Sequence, residues 1–267
     1  MMETDIIKRN NVRVFGSGEQ TLLFAHGFGF DQRTWERITP AFQENFTVVL
    51  FDYTGFGGSD KSAYTPDRYQ SLDGYAEDIT DICDSLQLQR VTFIGHSVSS
   101  MIGALASIRK PDLIDRLIMI GPSPCYLNDE DYNGGFERQD VEALLDMMEK
   151  NFKEWARYLA PISMKNEDRP QLTTAFEETL TANDPKIVRQ FAEVTFFSDM
   201  RKELANIVVP TLILQTRSDT IAPVHVGSFV HESIPNSQFI LMEATGHNPQ
   251  ISHPEELIDR IQTYLAN

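Results

Sequence analysis

The residue best placed to do chemistry is the serine at the crest of Val91-Thr92-Phe93-Ile94-Gly95-His96-Ser97-Val98-Ser99. A β-branched and aromatic run leads up to Gly95, and small-residue helical spacing follows to Gly103, so the stretch reads strand, sharp turn, helix. Such a turn holds a serine in a strained backbone conformation and lifts its hydroxyl above the carboxyl end of a sheet. Strand and helix nearly touch there, which gives Gly95 a steric reason. The usual pattern is G-x-S-x-G, and Ser99 replaces the last glycine, the mildest departure because it adds one small side chain.

A hydroxyl is a weak nucleophile until a base takes its proton, and that base must be held by a carboxylate. Ser97 is followed by His225, His231, His247 and His253. His225 and His231 lie in a predicted helix, and His253 sits at a helix start beside Pro254. They read as surface or packing residues. His247 follows the last predicted strand after Ala244-Thr245-Gly246, where a loop can aim an imidazole back at the sheet, so it is assigned as the base. Asp219, on the loop Arg217–Pro223 after the preceding strand, is the acid. Asp199 is the distant alternative and reads as helix-start chemistry.

A tetrahedral intermediate needs two backbone N–H donors, and Val98 and Phe28 stand where such donors are expected. His26 and His96 invite a metal reading, but no third ligand stands at useful spacing and no H-E-x-x-H occurs, so they read as buried, hydrogen-bonded histidines. Gly55-Phe56-Gly57-Gly58 resembles a dinucleotide loop, yet Asp60 holds the third glycine position and no helix begins at once; a tight turn is expected. Neither a cofactor nor a metal is expected.

These residues need a scaffold. Val12–Phe15 reads as a short edge strand, and Thr21–Ala25, Phe46–Phe51, Leu117–Ile120, Thr211–Gln215 and Gln238–Met242 as further strands, mostly apolar on both faces. Asp31–Phe42, Leu72–Leu88, Val224–Ile234 and Pro254–Leu265 carry helical spacing. Alternation of this kind predicts a mostly parallel sheet flanked by helices, an α/β fold. From about Cys125 to Ser198 the rhythm changes to four helical patterns, Glu137–Asn151, Lys153–Ser163, Gln171–Ala182 and Pro185–Phe197. Asp184-Pro185 supplies an acidic N-cap and a first-turn proline. The chain thus divides into core (1–124), helical lid (125–198) and core (199–267).

At 267 residues, 41% hydrophobic and 10% aromatic, the chain can build one large core. Its net charge of −16 argues against nucleic acid or an anionic membrane as partner. The two cysteines, Cys83 and Cys125, suggest no disulfide framework. The N-terminus lacks a basic stretch followed by an apolar run, and no apolar stretch of roughly 18 residues occurs, so a cytoplasmic location is expected.

Beyond the generic motifs, the chain resembles the RsbQ-type α/β-hydrolases, bacterial stress-signalling proteins related to the plant karrikin and strigolactone receptors. The resemblance rests on His26-Gly27-Phe28-Gly29-Phe30-Asp31-Gln32, Phe51-Asp52-Tyr53-Thr54-Gly55 and the Ser97 turn. It continues through Leu105-Ala106-Ser107-Ile108-Arg109, Gly121-Pro122-Ser123-Pro124-Cys125-Tyr126-Leu127-Asn128-Asp129, Gly134-Gly135-Phe136-Glu137 and Gly246-His247-Asn248-Pro249-Gln250. The Pro-Ser-Pro-Cys-Tyr-Leu-Asn run is RsbQ-like, and Ser99 is similar to the plant receptors. The resemblance implies the triad Ser97, Asp219 and His247, and a four-helix V-shaped lid over an apolar pocket. It also implies a pocket tryptophan at Trp155; Phe28, Phe136, Phe196 and Val98 are further wall candidates. No Arg or Lys anchor is evident, so a small neutral apolar ligand is expected.

Three functions follow. One is serine hydrolysis of small apolar esters or lactones through an acyl-enzyme. Another is ligand-dependent signalling, with slow or vestigial hydrolysis and, as the resemblance implies, a PAS-domain phosphatase as partner in a sigma-B-type stress pathway. The third is hydrolysis of carbon–carbon bonds in ring-cleavage products. Serine at position 97 excludes alkyl-enzyme chemistry, which needs a carboxylate there.

Overall fold

Strands form where apolar residues run without interruption, because alternate side chains of one strand enter two separate cores. In the computed structural model, which describes residues 5–266, Leu23, Ala25, Val49, Phe51, Phe93, Leu117, Met119 and Ile213 pack into one core. Their neighbours Leu22, Phe24, Val48, Leu50, Ile94, Ile118, Ile120, Leu212 and Leu214 pack into the other. A sheet covered on both faces requires this doubled pattern.

The chain runs α1 (Ile6–Arg9), β1 (Arg13–Gly16), β2 (Thr21–Ala25), β3 (Thr47–Leu50), α2 (Leu72–Ser85), β4 (Val91–His96), α3 (Val98–Arg109) and β5 (Ile114–Ile120). Four helices follow: α4 (Arg138–Lys150), α5 (Phe152–Met164), α6 (Pro170–Thr181) and α7 (Pro185–Phe196). The sheet resumes with β6 (Thr211–Ser218), α8 (Val224–Ser233), β7 (Ser237–Thr245), α9 (Pro249–Ser252) and α10 (Pro254–Leu265). The seven strands lie in the order β1-β3-β2-β4-β5-β6-β7, and only β1 is antiparallel to its neighbour. The fold is the expected mostly parallel sheet flanked by helices. Order reverses between β2 and β4, and ligands of open α/β sheets bind outside the carboxyl ends of strands at such a point.

Asp31–Phe42 is not one helix but two short 3-10 turns, Gln32–Trp35 and Thr39–Ala41. Pro40 has no N–H for an α-helical bond and its ring crowds the carbonyl four residues back. Trp35, Ile38 and Phe42 are buried all the same, so the apolar spacing served packing rather than helix. Strands β6 and β7 extend beyond their expected ends, to Ser218 and Thr245, which brings Asp219 and His247 close to the sheet.

In the four-helix segment α4 packs on α5 and α7, and α5 on α6. Asp184 caps α7 as expected, its side chain accepting from the N–H of Lys186 and Ile187. Among the described residues no helix is long and apolar enough to cross a membrane.

Candidate active site

Ser97 sits between β4 and α3 with φ 57° and ψ −126°, a conformation that a non-glycine residue adopts only when its surroundings impose it. Two close approaches impose it. A Cβ on Gly95 would stand 2.6 Å from the Ser99 carbonyl oxygen of α3, so strand and helix tolerate no side chain there. The Ser97 N–H also donates to the Ile120 carbonyl of β5 at 2.8 Å.

The His247 ring closes on this serine from the far end of the sheet. Its Nε2 accepts from the Ser97 hydroxyl at 2.7 Å, and its Nδ1–H donates to Asp219 Oδ2 at 2.6 Å. Asp219 is 7% exposed, and its Oδ1 accepts from the N–H groups of Ile221 and Ala222 at 2.8 and 3.0 Å. The carboxylate is therefore aimed by its own loop, and one tautomer of His247 is specified. The His247 backbone is pinned on both sides: its N–H donates to the Ser163 carbonyl of α5, and its carbonyl accepts from His96 Nε2, both at 2.8 Å.

Residues 20–254 match the family described as alpha/beta hydrolase fold. The chain belongs to that family. Strigolactone esterase of Arabidopsis thaliana is 39% identical to it over 266 residues, 99% of each chain. Karrikin insensitive 2 receptor CA of Petunia hybrida is 38% identical over 250 residues, 93% of each. A solved hydrolase of Oleispira antarctica is 42% identical, with a TM-score of 0.96 over 98% of this chain and 97% of that one.

In this α/β-hydrolase one of the two expected N–H donors belongs to the residue after Ser97, and the other to Phe28, whose side chain lines the same cavity as Ser97. Val98 opens α3, so its N–H has no partner within the helix. Phe28 follows β2, the neighbour of β4, and its N–H meets no other described group. His26 shapes that loop: its Nδ1–H donates to the Gly27 carbonyl at 3.0 Å, and its Nε2 accepts from Tyr53 N–H at 3.2 Å. Burial pushes its pKa down, and burial drives the His96 pKa to about 3, so both rings are neutral hydrogen-bonding parts.

Ser99, the departure from the glycine pattern, donates to the His26 carbonyl at 2.5 Å and lies 3.0 Å from the Tyr53 hydroxyl. It ties the serine turn to the Phe28 loop. Ser99→Ala leaves the buried Tyr53 hydroxyl and His26 carbonyl without this partner. The expected result is a loss of about 1–3 kcal/mol in urea unfolding, and an unchanged midpoint would refute this role.

A cavity of about 30 Å³, room for about two waters, lies over Ser97. Phe28 and Phe196 line it, as expected. Phe136, Trp155 and Val98 do not: Trp155 meets the Phe28 ring edge to face at 6.1 Å, Phe136 meets the Phe196 ring edge to face at 5.6 Å, and Val98 is buried in the core. A much larger groove, about 1190 Å³, runs between Pro66–Leu72 and α7, but it is open to solvent and reaches no triad residue.

Other residues of the wall carry no catalytic motif in the sequence. The Tyr126 hydroxyl stands 3.5 Å from Ser97 Oγ, and burial raises its pKa to about 12, keeping it a neutral phenol. Thr195 and Asn248 also line the cavity. A threonine on the apolar stripe Ile187, Val188, Phe191, Ala192, Phe196 of α7 was the available signal.

The remaining candidates lie elsewhere. His225 and His231 bond to Asn133 and Ser237, and His253 to its neighbour Ser252. Asp199 starts no helix, contrary to its reading; it caps a turn at the Arg201 N–H and pairs with the Arg201 side chain. Gly55–Gly58 forms a turn, with Gly58 N–H on Asp52 Oδ2 at 2.8 Å.

Proposed function

We propose that this chain is a serine hydrolase of small, neutral, largely apolar esters or lactones. The observation that carries the reading is the continuous line Ser97–His247–Asp219, at 2.7 and 2.6 Å, beneath a cavity with no Arg or Lys in its wall. Ser97 Oγ attacks the carbonyl carbon while its proton passes to His247 Nε2, and Asp219 stabilises the imidazolium. The oxyanion takes the N–H groups of Phe28 and Val98. His247 then returns the proton to the leaving alkoxide, and a water repeats the sequence on the Ser97 acyl ester. No step requires a cofactor.

A second reading, a ligand receptor that turns over slowly, is favoured by the cavity size. Ligand pockets hold roughly 300–1,000 Å³, so α5–α7 must shift from their present packing before an ester reaches Ser97. In that reading the moved helices present a surface to a protein partner, such as the PAS-domain phosphatase of RsbQ-like signalling.

One measurement tests both. After mixing with p-nitrophenyl butyrate, mass spectrometry is expected to find a butyryl group on the Ser97 peptide. Loss of the adduct within seconds supports the enzyme, and persistence over many minutes the receptor. Acylation of another residue, with Ser97 unmodified, would refute the nucleophile.

A further inference from the structure

Three of the four threonines of α6 turn their hydroxyls back onto the chain. In α6, Thr174, Thr179 and Thr181 donate to the carbonyls of Pro170, Ala175 and Glu177 at 3.4, 2.9 and 2.9 Å. Thr195 in α7 does not. It is 2% exposed, lines the Ser97 cavity, and its hydroxyl has no hydrogen-bond partner among the described residues.

Asn248 lines the same cavity and is 1% exposed. Its Nδ2 donates to Ser163 Oγ at 2.9 Å and approaches Met164 Sδ at 3.1 Å, while its Oδ1 has no partner. Buried polar atoms without partners cost stability and are rare in folded proteins, so two around one small cavity ask for an occupant that satisfies them. The rest of the wall is mostly apolar, with Phe28, Leu159, Phe176, Phe196 and Ile221; it carries no Arg, Lys, Asp or Glu, and its titratable groups are His96, His247 and the Tyr126 phenol.

We infer that the ligand this cavity admits, once α5–α7 shift to make room for it, carries hydroxyl groups besides the carbonyl presented to Ser97. A hydroxyl can donate to Asn248 Oδ1, and can accept from or donate to Thr195 Oγ1; a hydrocarbon chain leaves both unpaired. On the hydrolase reading, on which this rests, the substrates are neutral hydroxylated esters or lactones rather than plain alkyl ones. A site built to bond a hydroxyl rejects the analogue lacking it far more strongly than an apolar pocket rejects a misfit in size.

The test uses the Ser97→Ala protein, which removes turnover and leaves the cavity wall. Phenyl butyrate, phenyl α-hydroxybutyrate and phenyl β-hydroxybutyrate are titrated by calorimetry. At least one hydroxy ester is expected to bind about tenfold more tightly than phenyl butyrate. Adding Thr195→Val or Asn248→Leu brings that ratio toward one, and Thr195→Ser retains it. Thr195→Val is isosteric and removes an unpaired hydroxyl, so its thermal midpoint is expected to hold or rise. Equal binding of all three esters, or a ratio indifferent to Thr195→Val, would overturn the inference. Turnover of the same esters by the unmodified protein reports separately on the hydrolase reading. A Thr195-dependent binding preference without Ser97-dependent turnover sinks that reading alone.

Discussion

Ser97→Ala is expected to lower kcat for p-nitrophenyl butyrate by about 10⁴- to 10⁶-fold, the range seen when a triad nucleophile is removed from other serine hydrolases. The size follows from how the three residues act. Ser97 Oγ has a partner for its proton only because His247 Nε2 lies 2.7 Å away, and His247 presents that nitrogen only because Asp219 holds Nδ1–H at 2.6 Å. Removing one member disables the unit, so Ser97→Ala with His247→Ala should cost little more than either alone. Asp219→Asn leaves the geometry in place but lets the amide favour the wrong tautomer, and a loss of about 10⁴-fold is expected. The residual rate is expected to come from the proposed N–H donors of Phe28 and Val98. Ester hydrolysis unaffected by Ser97→Ala would remove the basis of the proposed activity.

The largest expected stability effect lies away from the site, at Asp78→Ala. Asp78 is fully buried in α2 and accepts from Arg9 Nη2, Arg68 Nη2, the Tyr69 hydroxyl, Asn10 Nδ2 and the Thr54 N–H, at 2.9 to 3.2 Å. Two guanidinium groups face one carboxylate, and Asp81 supplies the second acceptor for both. Replacing a buried pair by apolar residues can be neutral, but deleting one partner strands the other charge. Arg9, with its side chain 8% exposed, would keep only Asp81 and the Asn10 amide oxygen for its buried charge, while Arg68 at 30% recovers some water. A loss of about 3–5 kcal/mol is expected, or about 10 °C in thermal midpoint. A drop below about 1 kcal/mol would mean that water replaces the carboxylate. The loop after β3 should loosen as well, since Asn10 bridges Asp78 to the Asp52 carbonyl.

Much of the sheet was legible because its signal is local. An apolar run of five or more residues, with neighbours entering different cores, can be satisfied only by a strand covered on both faces. The helix starting at Pro185 was equally legible, because Asp184 caps its own chain. The segment Asp31–Phe42 misled for the complementary reason. Burial of Trp35, Ile38 and Phe42 comes from tertiary packing, while Pro40 dictates the backbone, and the apolar spacing reports only the first.

By itself the sequence determined the turn at Ser97, since glycine, a small helix start and an apolar strand are all local requirements. It also narrowed the partners to His247 and Asp219, through their order after the last strands. Only tertiary structure brought them together: His247 lies 150 residues from Ser97, and strand order with the exits of β6 and β7 closes that distance. Tertiary structure alone decided which aromatic rings line the cavity. A buried stripe tells which face of a helix turns inward, but not which residue on it ends at the cavity, because that depends on the rotation and height of the helix against its neighbours. Trp155 therefore packs against Phe28 outside the cavity wall, and Thr195 lines it. Ser99 changed most: a missing glycine in the sequence, it is in the structure the hydroxyl that joins the serine turn to the loop carrying Phe28.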